Sequence, residues 1–186
     1  MPARRVAVIV GSLRKEAFSR RVANALRAMQ PPTLNLEIVE IRDLPLYNQD
    51  LETDNPPAAW TAFRDAIKAH DAVLFVSPEY NRSIPGALKN AIDVGSRPYG
   101  KASLPGKPCA VVTTSPGAYG GFGANHQIRQ AVVFLDMPTM QMPELYVNAV
   151  DKVVDAAGTV QADKREMFEK FMQKFATWIE RNIARA

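Results

Sequence analysis

The sequence predicts an α/β domain built on an open parallel sheet with helices on both faces. Residues 6–10 and 72–76 are short, continuous apolar runs, and residues 109–114 are four apolar residues followed by two threonines. Continuous rather than alternating apolar runs are typical of strands that are covered on both faces. The segments between these runs carry apolar residues at helical spacing. This alternation of buried strands and amphipathic helices predicts a parallel sheet.

The first half of the chain begins with a strand at residues 6–10. From Ser19 the apolar side chains recur at helical spacing, and the prolines at positions 31 and 32 end that helix. Residues 36–41 predict a second strand. Residues 44–57 contain three prolines and several polar residues, which predicts a long surface segment.

The rest of the chain continues the same alternation. Its predicted elements are, in order, a helix through Trp60, Phe63 and Ile67, a strand at 72–76, a helix at 84–94, a strand at 109–114, a helix through Ile128, Val132 and Leu135, a short strand at 139–142 and a closing helix through Phe168, Phe171, Phe175, Trp178 and Ile179. Five strands therefore alternate with five helices.

We expect one domain over residues 1–186, because no repeat, low-complexity tract or hydrophilic linker divides the chain. Five strands fit a flavodoxin-like, doubly wound sheet of order 2-1-3-4-5. Ligands of such sheets bind beyond the carboxyl ends of the strands where the strand order reverses, which is beside strands one and three. The loops after strands one, three and four are therefore the candidate site.

Composition narrows the classes of function. Hydrophobic residues make up 47% and charged residues 23%, as in globular proteins, and no run approaches the ~20 apolar residues of a membrane span. The start shows no signal-peptide cleavage pattern, so we expect a cytoplasmic protein. The single cysteine excludes an internal disulfide, and two histidines leave few zinc ligands, so no metal is predicted.

The charge of the chain favours anionic small molecules rather than nucleic acid. The net charge is +4, and residues 1–27 carry seven Arg or Lys residues against one Glu. This excess is too small to require a nucleic-acid partner, but it concentrates positive charge around the first strand and the loop after it. An ordinary solvated helix face is the alternative explanation for most of these side chains.

The first candidate loop, residues 11–19, favours a phosphate monoester. It lacks both the Gly-Lys-Ser/Thr ending of a nucleotide-triphosphate loop and the spaced glycines of a dinucleotide fingerprint. It leads into a helix N-terminus, where backbone N–H groups attract anions, and Ser12, Arg14 and Ser19 add side-chain donors. In the alternative interpretation, Ser19 only caps the helix and Arg14 faces water.

The two other loops favour a flat ligand. Prolines stiffen residues 77–86, which would present backbone N–H and C=O groups to a polar heterocycle. Here Tyr80 could instead be an ordinary turn aromatic, and Glu79 with Arg82 a surface ion pair of little energetic value. Residues 114–123 hold four glycines, which allow the main chain to approach a ring closely, or simply form a flexible turn.

Motifs in these loops resemble the NAD(P)H-dependent FMN reductase family, especially its chromate and quinone reductase branch. The matching motifs are Gly11-Ser12-Leu13-Arg14, Pro78-Glu79-Tyr80-Asn81, the segment 85–93, and Ser115-Pro116-Gly117 with Gly120-Gly121. The resemblance covers nearly the whole chain, and the first two motifs at this separation are highly specific.

The resemblance implies FMN as cofactor, with NADPH or NADH as electron donor. It assigns the FMN phosphate to Ser12, Arg14, Ala17, Phe18 and Ser19, the isoalloxazine to Pro78, Glu79, Tyr80 and Asn81, and the border of the flavin to Ser115 and Gly117. No catalytic acid or base is then needed, because the flavin performs the redox chemistry. Ala17 and Ser19 replace the Ser and Asn usual in the family, so we expect weaker FMN retention than in relatives.

The implied activity is ping-pong hydride transfer through FMN to quinones, chromate, azo compounds or free flavins, in a homodimer or homotetramer. A non-enzymatic electron carrier of the flavodoxin type shares the fold and cofactor and is the main alternative. A nucleotide-binding regulator without turnover is a third possibility. Cys109, in an apolar strand, and the lone His126 are expected to be structural.

Overall fold

The computed structural model describes residues 2–183 and confirms the predicted α/β fold. Five parallel strands form one sheet in the order β2-β1-β3-β4-β5. The strands are β1 (Arg4–Val10), β2 (Leu34–Ile38), β3 (Ala72–Pro78), β4 (Cys109–Thr114) and β5 (Leu145–Val147). The order reverses between β1 and β3, as predicted. Of the expected domain range 1–186, Met1 and residues 184–186 lie outside the described residues.

Helices cover both faces of the sheet. They are α1 (Phe18–Ala28), α2 (Ala58–Lys68), α3 (Gly86–Gly95), α4 (Phe122–Val133), α5 (Val150–Val153) and α6 (Ala162–Ile183). Apolar side chains of α1, α5 and α6 pack on one face, and those of α2, α3 and α4 pack on the other. Within residues 2–183, no helix combines the length and the apolar character needed to cross a bilayer.

Strand β1 shows why its sequence is uniformly apolar. Val6, Val8 and Val10 face the layer that contains α1 and α6, whereas Ala7 and Ile9 face the layer that contains α2 and α3. All five are at most 3% exposed. Burying a valine- or isoleucine-sized side chain contributes about 1.5–3 kcal/mol, so both faces of this strand stabilise the fold. The carboxyl end of this buried interior strand therefore carries the first candidate loop.

The position predicted for the fifth strand was wrong. Residues 139–142 do not form a strand: Thr139 makes only an isolated bridge to Cys109, at the start of β4. The chain then leaves the sheet, and Pro143, which has no N–H to donate, precedes the segment that pairs with the end of β4. Strand β5 is Leu145–Val147, opposite residues 112–114. This shift brings β5 to the edge of the sheet where the candidate loops lie.

Two smaller differences are the bounds of one strand and one additional helix. Strand β2 is Leu34–Ile38 rather than residues 36–41, because its pairing with β1 begins at Arg4 and ends at Val8. The four-residue helix α5 was not predicted, since so short a segment has no recognisable period.

Candidate functional site

The loops after β1, β3 and β4 meet around a cavity of about 160 Å³. Nine of the eleven predicted site residues line it: Ser12, Arg14, Ala17, Phe18, Ser19, Pro78, Glu79, Tyr80 and Ser115. Thr114 and Pro116 also line it; both lie in the third candidate loop, but no contact with the cofactor was assigned to them. Asn81 and Gly117 lie on the same loops, outside the lining. The volume is below the ~300 Å³ or more of sites that enclose a whole ligand, so this cavity suits one end of a larger molecule.

The N-terminus of α1 forms one wall of the cavity. Ala17 occupies the N-cap position in an extended conformation, and no side chain caps the helix. The first turn contains no acidic residue. Its free N–H groups and the positive end of the helix dipole therefore suit an anion. Arg14 is exposed at the cavity's edge, where its backbone N–H donates to Ser12 Oγ over 3.3 Å.

Two buried hydroxyls in the cavity wall have no hydrogen-bond partner. Ser19 Oγ, from α1, and Thr114 Oγ1, at the end of β4, are both buried and both unsatisfied among the described residues. Ser19 therefore does not cap α1. An unpaired buried hydroxyl costs about 1–3 kcal/mol. Two such groups on different elements of one cavity indicate a site that a polar ligand completes.

The loop after β3 is held by a tight turn. Tyr80 and Ser83 exchange two backbone hydrogen bonds of 3.0 Å, and Asn81 and Arg82 between them have φ values of 51° and 64°. Two central residues with positive φ are typical of a type I′ turn. Holding arginine there costs about 1 kcal/mol. The turn directs Tyr80 toward the first loop, where its hydroxyl oxygen lies 3.2 Å from Ser12 Oγ.

The glycines of the third loop serve packing as well as ligand access. Gly120 has a φ of 56°, and a Cβ there would lie 2.9 Å from the backbone carbon of Tyr146. Gly121 has a φ of 82°, and its Cβ would lie 2.8 Å from Thr113 Cβ. Both positions thus require glycine, because the loop passes so close to β4 and β5 that a side chain would collide with them. Ser115 stabilises the start of this loop by accepting the Gly117 N–H at 3.0 Å.

Ion pairs neutralise part of the basic N-terminal segment. Arg20 donates two hydrogen bonds to the Glu40 carboxylate, at 2.7 and 2.8 Å. The hydrogen bond from Arg20 is the main cause that lowers the pKa of Glu40. The same interaction raises the pKa of Arg20. Arg4 and Arg5 are likewise paired, with Glu180 and Glu37. Among the residues that line the cavity, Arg14 carries a positive charge and Glu79 a negative one.

Cys109 and His126 lie outside the cavity lining. Cys109 is fully buried, and burial raises the pKa of its thiol to about 12, so the thiol stays protonated at neutral pH. His126 is exposed, and its ring lies 4.2 Å from the Phe122 ring, centroid to centroid.

A larger cavity lies beside β2 and α2 and lacks the features of the candidate site. Its volume is about 480 Å³, and its lining includes Val39, Phe63 and His70. No described residue of the loops after β1, β3 or β4 lines it. Volume alone does not identify a site. The smaller cavity is the better candidate because it combines a helix N-terminus, two unsatisfied hydroxyls and the edge at which the strand order reverses.

The chain is similar to several known proteins over most of its length. The family described as NADPH-dependent FMN reductase matches residues 4–152. A quinone reductase of Pseudomonas putida is 58% identical over 179 residues, 96% of each chain, and a 2-hydroxy-1,4-benzoquinone reductase of a Burkholderia species is 42% identical over 94% of this chain and 96% of that one. The solved flavoenzyme NAD(P)H:(acceptor) oxidoreductase FerB of Paracoccus denitrificans superposes with a TM-score of 0.91 at 38% identity, over 97% of this chain and 99% of that chain.

Proposed function

Because this chain belongs to the NADPH-dependent FMN reductase family and is an FMN-containing NAD(P)H oxidoreductase, we propose that its electron acceptors are quinones. The quinone class rests on similarity to two relatives that are named for quinone reduction. Chromate and azo compounds are secondary acceptors in this proposal. Chromate is favoured because the basic loop after β1 suits anions.

The residues of the cavity fit FMN. The N–H groups at the start of α1, with the hydroxyls of Ser12 and Ser19, would hold the phosphate, because both suit an anionic oxygen. Pro78 and Tyr80 on one side, with Thr114 on the other, would contact the rest of the cofactor. The observation that carries this assignment is the pair of buried hydroxyls without partners, Ser19 Oγ and Thr114 Oγ1.

When bound, FMN supplies the redox chemistry: it accepts a hydride from a reduced nicotinamide and returns two electrons to the acceptor. The protein's own residues bind and orient. Tyr80 lines the cavity and is 46% exposed, so the cavity is open to solvent beside the loop after β3. We propose that donor and acceptor occupy this one opening in turn, which gives ping-pong kinetics.

We further propose a cytoplasmic homodimer or homotetramer. The free Cys109 fits a reducing compartment. Exposed aromatic side chains, including Phe122 at 54% exposure, are candidates for burial by a second subunit. Light scattering coupled to size-exclusion chromatography measures the assembly: masses of two or four chains support the proposal, and a monomer contradicts it.

The function is tested with the purified protein in the absence of air. We expect a flavin absorption band that bleaches on addition of NADPH or NADH and returns when benzoquinone is added. Initial rates over both substrate concentrations should give parallel double-reciprocal lines. Protein that binds FMN, is not reduced by either nicotinamide, and takes electrons only from a separate reductase would instead be a flavodoxin-type carrier. Protein that binds no FMN would contradict the proposal as a whole.

A further inference from the structure

The carboxylate of Glu79 reaches away from its own loop to the start of α4. Its Oε2 accepts the backbone N–H of Ala124 at 3.1 Å, and the side chain is only 14% exposed. Helix α4 lacks acceptors of its own here, since Gly121 is its N-cap and its first turn has no acidic residue. A carboxylate at a helix N-terminus satisfies a free N–H group and interacts favourably with the helix dipole. Glu79 therefore caps α4 from a loop 45 residues away in the chain.

A second close contact joins the same loop to the same helical turn. A Cβ at Gly123 would lie 2.6 Å from the carbonyl oxygen of Arg82 and 3.0 Å from Glu79 Oε2. Gly123 therefore allows the loop after β3 to approach α4 at both Glu79 and Arg82. Any side chain at position 123 would push the loop and the helix apart.

We propose that Glu79 is a positioning residue, which fixes the loop after β3 against α4 and thereby fixes Tyr80 in the cavity wall. Tyr80 is the next residue in the chain, and its hydroxyl contacts Ser12 in the loop after β1. Ordering this loop before the ligand arrives lowers the entropy cost of binding. The inference rests on the proposed function, because it concerns the wall of the FMN cavity.

The ion pair between Glu79 and Arg82 is a weaker explanation for the carboxylate. Arg82 Nη1 lies 3.8 Å from Glu79 Oε1, and the Arg82 side chain is 77% exposed. Pairs this exposed contribute little to stability. The bond to the Ala124 N–H is shorter and better shielded, so it should dominate the role of Glu79.

Four variants separate these roles. Glu79→Ala removes the acceptor, Glu79→Gln keeps an amide oxygen in its place, Gly123→Ala obstructs the contact with Glu79 intact, and Arg82→Ala removes only the ion pair. Two quantities are measured on each: hydrogen exchange of the Ala124 amide in apoprotein, and the dissociation constant for FMN from quenching of flavin fluorescence. Thermal unfolding of each apoprotein reports whether the variant is folded.

We expect Glu79→Ala and Gly123→Ala to weaken FMN binding about tenfold and to accelerate exchange at Ala124 about tenfold, as the loss of one charge-assisted hydrogen bond implies. Glu79→Gln and Arg82→Ala should bind FMN within about threefold of the unaltered protein. If Glu79→Ala is unfolded, Gly123→Ala and Glu79→Gln carry the comparison.

The proposal is overturned if exchange at Ala124 does not change in Glu79→Ala, since the bond would then be unimportant in solution. It is also overturned if exchange rises and FMN affinity does not fall, or if Arg82→Ala weakens FMN binding as much as Glu79→Ala does. Failure of the unaltered apoprotein to bind FMN would contradict the proposed function instead, and the exchange measurement would still test the contact.

Discussion

The hydroxyl oxygen of Tyr80 lies 3.2 Å from the hydroxyl oxygen of Ser12, which joins the loop after β3 to the loop after β1. Ser12 is 3% exposed, so this contact is shielded on the Ser12 side. Ser12 Oγ also accepts the Arg14 N–H, so one hydroxyl contacts both the loop after β1 and the loop after β3.

Tyr80→Phe should lower FMN affinity about fivefold. The substitution removes one neutral hydrogen bond, about 0.5–1.5 kcal/mol, and keeps the ring. Titration of apoprotein with FMN measures it. Tyr99→Phe is the matched control, because Tyr99 is 71% exposed and does not line the cavity. Equal affinities for Tyr80→Phe and the unaltered protein would show that the contact with Ser12 does not organise the site.

Thr114→Val should have opposite effects on the empty protein and on cofactor binding. It removes a buried hydroxyl that has no partner, so the free energy of unfolding of the apoprotein should rise by about 1 kcal/mol. If that hydroxyl contacts FMN, the affinity for FMN should fall about tenfold. Denaturant unfolding and FMN titration measure the two quantities.

The control for this substitution is the neighbouring threonine on the opposite face of β4. The Thr113 hydroxyl lies 3.4 Å from the Asn125 side-chain nitrogen, so Thr113→Val should destabilise the apoprotein and leave FMN affinity unchanged. A Thr114→Val protein with reduced stability and unaltered affinity would remove Thr114 from the site.

Ala17→Ser with Ser19→Asn should bind FMN more tightly by one to two orders of magnitude. Ala17→Ser restores a donor that could reach the phosphate, and Ser19→Asn lengthens the donor that Ser19 already offers. A hydrogen bond to a charged group contributes about 1.5–3 kcal/mol. Calorimetric titration checks this, and unchanged affinity would contradict it. The single variant Ala17→Ser should also raise the Tm of apoprotein by about 2–4 °C, because serine caps a helix better than alanine by about 1 kcal/mol.

At alkaline pH, the Cys109→Ala variant should lose less stability than the unaltered protein. Burial raises the pKa of the Cys109 thiol to about 12 from an ordinary value of 9.0, so the fold holds the thiol protonated. As the pH rises, the thiol of the unfolded chain loses its proton before the thiol of the folded chain does. The contribution of this group to the free energy of unfolding is therefore fully present below about pH 9. It falls as the pH rises toward 12, by at most about 1.4 kcal/mol per pH unit. Denaturant unfolding at pH 7.5 and 10.5 compares the slopes of the two proteins, and equal slopes would contradict the assignment.

The sequence predicted β1, β3 and β4 because strands buried on both faces leave continuous apolar runs, and the fold then placed three loops at one edge. It could not locate β5: three residues at an edge carry too little pattern, and residues 139–142 resemble a strand equally well. Thr114 was missed because a strand-end threonine fits β structure without any ligand. The role of Glu79 depends on Ala124, 45 residues later, a contact that no local pattern records.

The central claim is that the cavity at the start of α1 holds the phosphate of FMN. A crystal structure of the protein with FMN tests it most directly. We expect the phosphate within hydrogen-bond distance of Ser19 Oγ and the first N–H groups of α1, with Thr114 Oγ1 in contact with the same molecule. FMN bound elsewhere, for example in the cavity beside β2 and α2, or crystals in which excess FMN leaves the α1 cavity empty, would contradict the account.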